Sequence, residues 1–214
     1  MRTAALIEML ARGPIGARAD ASGRWLGAAA LLGSGVAAAA MLILLGLRPD
    51  LGSAARQSMF WLKLAFPTFL ALAAFVAAVR LGRPGGRAGT AWLAAGAAMA
   101  LVWTAAVVQV LAAAPGTRAA LVTGSSALPC VASIAALALP IGFAALFALR
   151  SLAPTRPGVA GGAAGLFAGA SAAAIYALHC SEETLPFVAV WYVLGMLVPT
   201  LTGVIAGRRL LRWA

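Results

Sequence analysis

The chain has 214 residues, 63% of them hydrophobic and only 10% charged, with a mean hydropathy of +0.98. That balance excludes a soluble domain with a polar surface. A formal net charge of +11 would suggest nucleic acid in a soluble protein, but these arginines gather at the ends of apolar stretches, where they orient a membrane protein, so no direct nucleic-acid binding is expected.

Residues 1–24 carry Arg2, Arg12, Arg18 and Arg24 and hold no apolar core of signal-peptide length, so they are expected to stay on the chain as a cytoplasmic segment. Within them Thr3 can cap a short helix whose stripe of Leu6, Ile7 and Leu10 suits either of two surfaces. One is a groove on a protein partner; the other is the anionic inner leaflet, with Arg2, Arg12 and Arg18 holding the segment to lipid.

A bilayer core of about 30 Å needs roughly 20 apolar residues in helical form. Six stretches meet that requirement, at 25–47, 58–79, 90–112, 127–149, 158–178 and 185–206, leaving a basic tail at 207–214. The breaks between them carry turn and charge signals, among them Arg48-Pro49-Asp50, Arg83-Pro84-Gly85-Gly86-Arg87 and Ala114-Pro115-Gly116. The expected fold is therefore an all-α polytopic bundle of six transmembrane helices with no second domain. Pro67, Pro140 and Pro199 fall inside helices two, four and six, where they are expected to kink or loosen the helix. Gly161, Gly165 and Gly169 repeat every four residues in helix five, either as a seam inside one bundle or as a dimer interface, which leaves the oligomeric state open.

Twelve of the 16 basic residues fall on one side of this topology and three on the other, with Lys63 inside a span. By the positive-inside rule both termini are cytoplasmic. The unusual polar residues then converge on the outer face. Lys63 lies roughly 7 to 8 Å below the outer end of helix two, at 1.5 Å per residue. Gln109 is near the outer end of helix three, Cys130 opens helix four, and His179-Cys180 closes helix five before Glu182 and Glu183. Lys63 suits either snorkelling to the headgroups or pairing with Glu182 or Glu183, and Gln109 suits a helix-to-helix hydrogen bond.

Either cysteine alone reads as a small packing residue. Together they are the only two in the chain, at matching depth on the oxidising side, and three chemistries could use them: a reversible disulfide, capture of a soft metal, or oxidation. His179 beside Cys180 could lower a thiol pKa or complete a transient, regulatory metal site of Cys130, Cys180 and His179. No Cys-x-x-Cys and no second histidine are present, so neither a structural zinc site nor a bis-histidine haem is expected, and no obligatory cofactor is implied.

From Gly124 onward the chain resembles the NrsF family, multi-pass inner-membrane anti-sigma factors. The resemblance is carried by Gly124-Ser125-Ser126 with Cys130, Ala153-Pro154-Thr155-Arg156-Pro157, Gly161-Gly162-Ala163-Ala164-Gly165-Leu166, the run from Tyr176 through His179-Cys180 to Glu183, Trp191-Tyr192-Val193-Leu194-Gly195, and Gly207-Arg208-Arg209-Leu210-Leu211-Arg212-Trp213; Trp61-Leu62-Lys63 adds to it. It implies a cytoplasmic extracytoplasmic-function sigma factor as partner, and release of that partner when the periplasmic cysteines, here Cys130 and Cys180, meet toxic metal or oxidative stress. On this reading the chain is a regulator and not an enzyme. Its rivals are a membrane thiol-disulfide redox enzyme, which the absence of Cys-x-x-Cys disfavours, and a small transporter, which would need polar residues through the midplane.

Overall fold

The computed structural model describes Glu8, residues 17–152 and residues 154–211, and it is helical throughout its regular structure. Six helices are long and apolar enough to cross a membrane: α1 (Ala17–Leu44, apolar from Gly23), α2 (Ser58–Leu81), α3 (Gly89–Ala112), α4 (Ala127–Arg150), α5 (Pro157–Tyr176) and α6 (Leu185–Leu210). The expected spans match these within a few residues at most ends. α1 differs most, because helix formation depends on backbone propensity and runs on through Ala17–Arg24, where hydropathy has already fallen. A short helix, Arg118–Thr123, also fills the connection between α3 and α4, which the sequence marked only as a turn. The stripe of Leu6, Ile7 and Leu10 lies outside the described residues.

Helix ends follow their local chemistry. Gly46 adopts φ +75° after α1, where its N–H and that of Leu45 both bond to the Met41 carbonyl. Pro157 opens α5 at a position where no N–H is needed. Pro67, Pro140 and Pro199 all sit within helices. The clearest irregularity of α6 lies upstream of its proline, in the π-helical turn Val188–Tyr192.

α5 is the hub. Its side chains are mostly Ala and Gly, so neighbours approach from every direction, and it packs against α6, α2, α4 and α1. Two thirds of its span is buried, against about a fifth for α3, which leans on α2 and on the start of α6 and turns Leu93, Leu101, Val108 and Leu111 outward. The glycine repeat is spent inside the bundle. A Cβ at Gly165 would lie 2.9 Å from the Cα of Thr200, one at Gly169 2.9 Å from the Cα of Met196, and one at Gly203 3.0 Å from the Cα of Gly165. α5 and α6 therefore meet backbone to backbone. In lipid, which gives no hydrophobic drive for helix association, such close approach supplies van der Waals contact along the whole seam.

Antiparallel packing sorts the loops onto two ends. One end gathers Arg80, Arg83 and Arg87 with Arg150, Arg156, Arg208 and Arg209; there Gly82 and Leu152 touch across loops, and Arg208 lies against Gly158. The other end gathers the loop after α1, the start of α2, the connection from α3 to α4 and the segment between α5 and α6.

Candidate functional site: a buried lysine beneath two thiols

At this second end, Cys130 in the first turn of α4 and Cys180 just after α5 are both buried, at 0% and 3% exposure, and both are free thiols. They belong to one core cluster with Tyr176 and Tyr192 and lie within electrostatic reach of each other and of Lys63.

Lys63 is the centre of the arrangement. It is only 1% exposed, so it does not snorkel, and it does not pair with a carboxylate side chain. Its Nζ donates instead to two backbone carbonyls, those of Cys180 at 2.6 Å and Glu182 at 2.7 Å. The expected partner residue Glu182 is thus met through its main chain. The segment after α5 is not helical, so its carbonyls have no intrahelical donors and are open to an ammonium. The Tyr192 ring adds a face 5.7 Å from Nζ. Lys63 therefore ties α2 to the backbone of Cys180 itself.

The two glutamates are engaged elsewhere. Oε1 of Glu182 accepts from the Ser125 N–H and hydroxyl, each at 2.7 Å, and from the Ser126 hydroxyl at 3.4 Å. Gly124 makes this cradle possible: it adopts φ +53°, and a Cβ there would lie 2.6 Å from the Phe187 ring and 2.9 Å from the Glu182 carboxyl carbon. Partial burial pushes the Glu182 carboxyl up, but the Ser125 and Ser126 hydrogen bonds and the Lys63 charge outweigh it and leave the group below the usual glutamate range. Glu183 faces Arg48, whose Nη2 lies 2.9 Å from Glu183 Oε1 at angles short of hydrogen-bond geometry and 2.7 Å from Asp50 Oδ2. Arg48 is 5% exposed, and its hydrogen bonds to Asp50 raise its pKa against the cost of burial.

His179 and Gln109 complete the belt. The Nδ1 of His179 is 3.0 Å from the Gly46 carbonyl, which assigns the proton to Nδ1, and the ring leans on Tyr176. Gln109 Oε1 accepts the Leu185 N–H at 3.2 Å, an open donor of the first turn of α6, so the expected helix-to-helix bond is present with backbone as the partner. Thr184 and Trp191 bond to the carbonyls of Leu121 and Val122 at 2.9 and 2.8 Å and fix the short helix over α6.

Cys130, Cys180 and His179 do not form a three-ligand metal site. Among the described residues no three His, Cys, Asp or Glu side chains come together to hold an ion, because His179 is turned toward the loop after α1. The arrangement offers two buried thiols, a buried ammonium and the Tyr192 hydroxyl, which is buried beside Cys180 with no partner in hydrogen-bonding geometry.

A family model described as "Negative regulator of sigma F" matches residues 10–213. The chain belongs to the NrsF family. Two NrsF relatives align over their whole length and over all of this chain: the "Probable anti-sigma-F factor NrsF" of Azospira oryzae, 41% identical over 213 residues, and the "Anti-sigma-F factor NrsF" of Caulobacter vibrioides, 42% identical over 218. No solved structure matches.

In this NrsF-family chain, the sequence reading passed over Arg48 and Tyr192 as members of the site and took Ser125 and Ser126 only as marks of resemblance. Arg48 carried a faint signal as an arginine beside Pro49 and Asp50 at a span end, but its partner Glu183 is 135 positions away. Tyr192 carried none, since an aromatic at a span end reads as an interfacial anchor.

Proposed function

We propose that this chain is an inner-membrane anti-sigma factor with both termini in the cytoplasm, which holds an extracytoplasmic-function sigma factor at its arginine-rich end and releases it when Cys130 and Cys180 react on the periplasmic side. The observation that carries the reading is full-length similarity to two relatives named as anti-sigma-F factors. The charge bias between the two ends supports the orientation. The bond from Lys63 to the carbonyl of Cys180 supports the input.

The mechanism follows from that bond. Bridging Cys130 to Cys180 removes two protons and two electrons, taken by a periplasmic oxidant; capture of a soft metal such as cadmium by the two thiolates releases two protons and transfers no electrons. Either event redirects Cys180 while its own carbonyl is held by Lys63, so the chemistry strains the junction of α2 with the end of α5. α5 is fused to α6 along the glycine seam, and a shift of that pair reaches the arginine-rich end as a rigid movement. Moving such a switch from 1:99 to 99:1 takes about 5.5 kcal/mol of preference for one state, within the range of a covalent or two metal–thiolate bonds.

The burial of both thiols disfavours a redox enzyme that must admit protein substrates. The buried charged side chains among the described residues, Arg48 and Lys63, both lie at one end, which disfavours a polar transport path. The test is co-purification of the detergent-solubilised chain with a co-expressed sigma factor encoded beside it, before and after cadmium or oxidant. The complex is expected at rest, to dissociate on treatment in the wild type and to persist in Cys130→Ser/Cys180→Ser. Release from the double variant would overturn the thiol input; no complex under any condition would overturn the anti-sigma reading.

A further inference from the structure

The arginine-rich end carries a feature that sigma binding does not require. A groove of about 520 Å³ opens between α3, the first turns of α5 and the end of α6, with Trp92, Val159 and Val204 as apolar walls and Arg156 and Arg208 as its charged members. Arg208 is laid across the start of α5, since a Cβ at Gly158 would lie 3.0 Å from its Cγ and 3.1 Å from its Nε. Gly162 keeps the floor open, because a Cβ there would meet Val204 at 2.8 Å. Both guanidinium groups are exposed, and neither makes a hydrogen bond or ion pair among the described residues. Asp50, Glu182 and Glu183 are at the opposite end, and among the described residues that line the groove none carries a carboxylate or any other negative charge.

Two other depressions show what is particular here. One of about 180 Å³ beside Trp103 and Pro186 and one of about 440 Å³ between α4, α5 and α6 hold no charged side chain. They suit any acyl chain. Of these three, the groove at Trp92 alone joins an apolar wall to two exposed cations, and it does so at the helix ends, where the apolar spans give way to arginine.

We infer that this groove is a binding site for one anionic glycerophospholipid, its phosphodiester held between Arg156 and Arg208 and an acyl chain laid along Trp92, Val159 and Val204. A free phosphate would satisfy the arginines but leave the apolar wall bare; a zwitterionic lipid would cover the wall but bring a choline to two cations. The inference does not depend on the anti-sigma reading.

The test is native mass spectrometry of the full chain in detergent, titrated with palmitoyl-oleoyl phosphatidylglycerol or with phosphatidylcholine of the same chains. The wild type is expected to retain one phosphatidylglycerol with about tenfold or greater preference over phosphatidylcholine, and Arg156→Gln/Arg208→Gln to lose that preference. Both arginines are exposed, so the variant should fold; a wild-type thermal midpoint checks that. As a second readout, phosphatidylglycerol with brominated chains should quench tryptophan emission in the wild type and quench it less in Trp92→Phe. Equal retention of the two lipids, or unchanged retention by the double variant, overturns the inference. Displacement of the lipid by millimolar glycerol phosphate would make this a small-anion site. Loss of sigma-factor capture in the double variant with lipid retention intact would assign the groove to the protein partner. Either result overturns the lipid.

Discussion

The glycine seam joins α5 to α6, and the polar knot around Lys63 ties α2 to the segment that connects them, by opposite means. Along the seam nothing chemical holds the pair: Gly161, Gly165, Gly203 and Gly207 remove side chains so that backbones touch, and the contact is spread over about three turns. At the knot a few polar bonds close the end of the bundle, and one buried ammonium carries two of them. A distributed apolar contact cannot be switched by one reaction. A junction resting on a single lysine and a cysteine carbonyl can. The contrast teaches where a rigid lever and its trigger are each to be sought in a membrane bundle.

Three substitutions would break or sharpen that contrast. The largest effect is expected at the seam, where Gly165→Leu must place a Cβ 2.8 Å from the Pro199 carbonyl carbon and 2.9 Å from the Thr200 Cα. Overpacking of this kind should cost about 3 kcal/mol, read as a lowered thermal midpoint in detergent. Wild-type stability in that variant would show that α5 and α6 have room to separate.

At the knot, Lys63→Met leaves the Cys180 and Glu182 carbonyls without their donor in a buried setting. A cost of about 2 kcal/mol is expected, smaller than at the seam because removing the ammonium also removes its burial penalty. The sharper readout is maleimide labelling of Cys180, which should speed up in Lys63→Met and stay slow in Gly162→Ala, a seam-side change far from the thiols. Unchanged labelling would mean that Lys63 does not hold the Cys180 segment.

The smallest effect belongs to the rim. Glu182→Gln keeps an oxygen for Ser125 but loses the charge, so a loss of about 1 kcal/mol at pH 7 is expected. Its pH dependence has a definite sign. The folded-state pKa of Glu182 lies below its ordinary value of 4.5, so its stabilising contribution is complete above that value and is lost as pH falls through the folded-state value. The gap in thermal midpoint between wild type and Glu182→Gln should therefore be widest near neutral pH and narrow as pH falls below 4.5 through the folded-state value. A gap that stays constant on acidification would show that the carboxylate charge contributes nothing to the knot.

Much of the frame was legible before any coordinates. The six spans follow from where hydropathy rises and breaks, since helices must satisfy their backbone internally in lipid and their length is set by the bilayer. The alternation of those spans alone put Lys63, Gln109, Cys130, His179, Cys180, Glu182 and Glu183 at one end, and the glycine spacing announced a close helix contact. The partners were less legible. Lys63 suggested either the headgroups or a carboxylate and found two main-chain carbonyls, which have no letter in the sequence. His179 suggested a ligand beside a thiol and turned to Gly46, because a loop that follows α1 was brought beside α5.

By itself the sequence determined the class of protein, the number and limits of its spans and which residues share an end, because each follows from water, lipid and the pitch of a helix acting locally along the chain. Tertiary structure alone decided that α5 is the hub and α3 the periphery, that the glycine repeat is used within the bundle, and that Lys63 grips the backbone of Cys180. Those outcomes depend on which surfaces meet, and groups as far apart as Lys63 and Cys180 acquire a relation only when packing brings them within 2.6 Å.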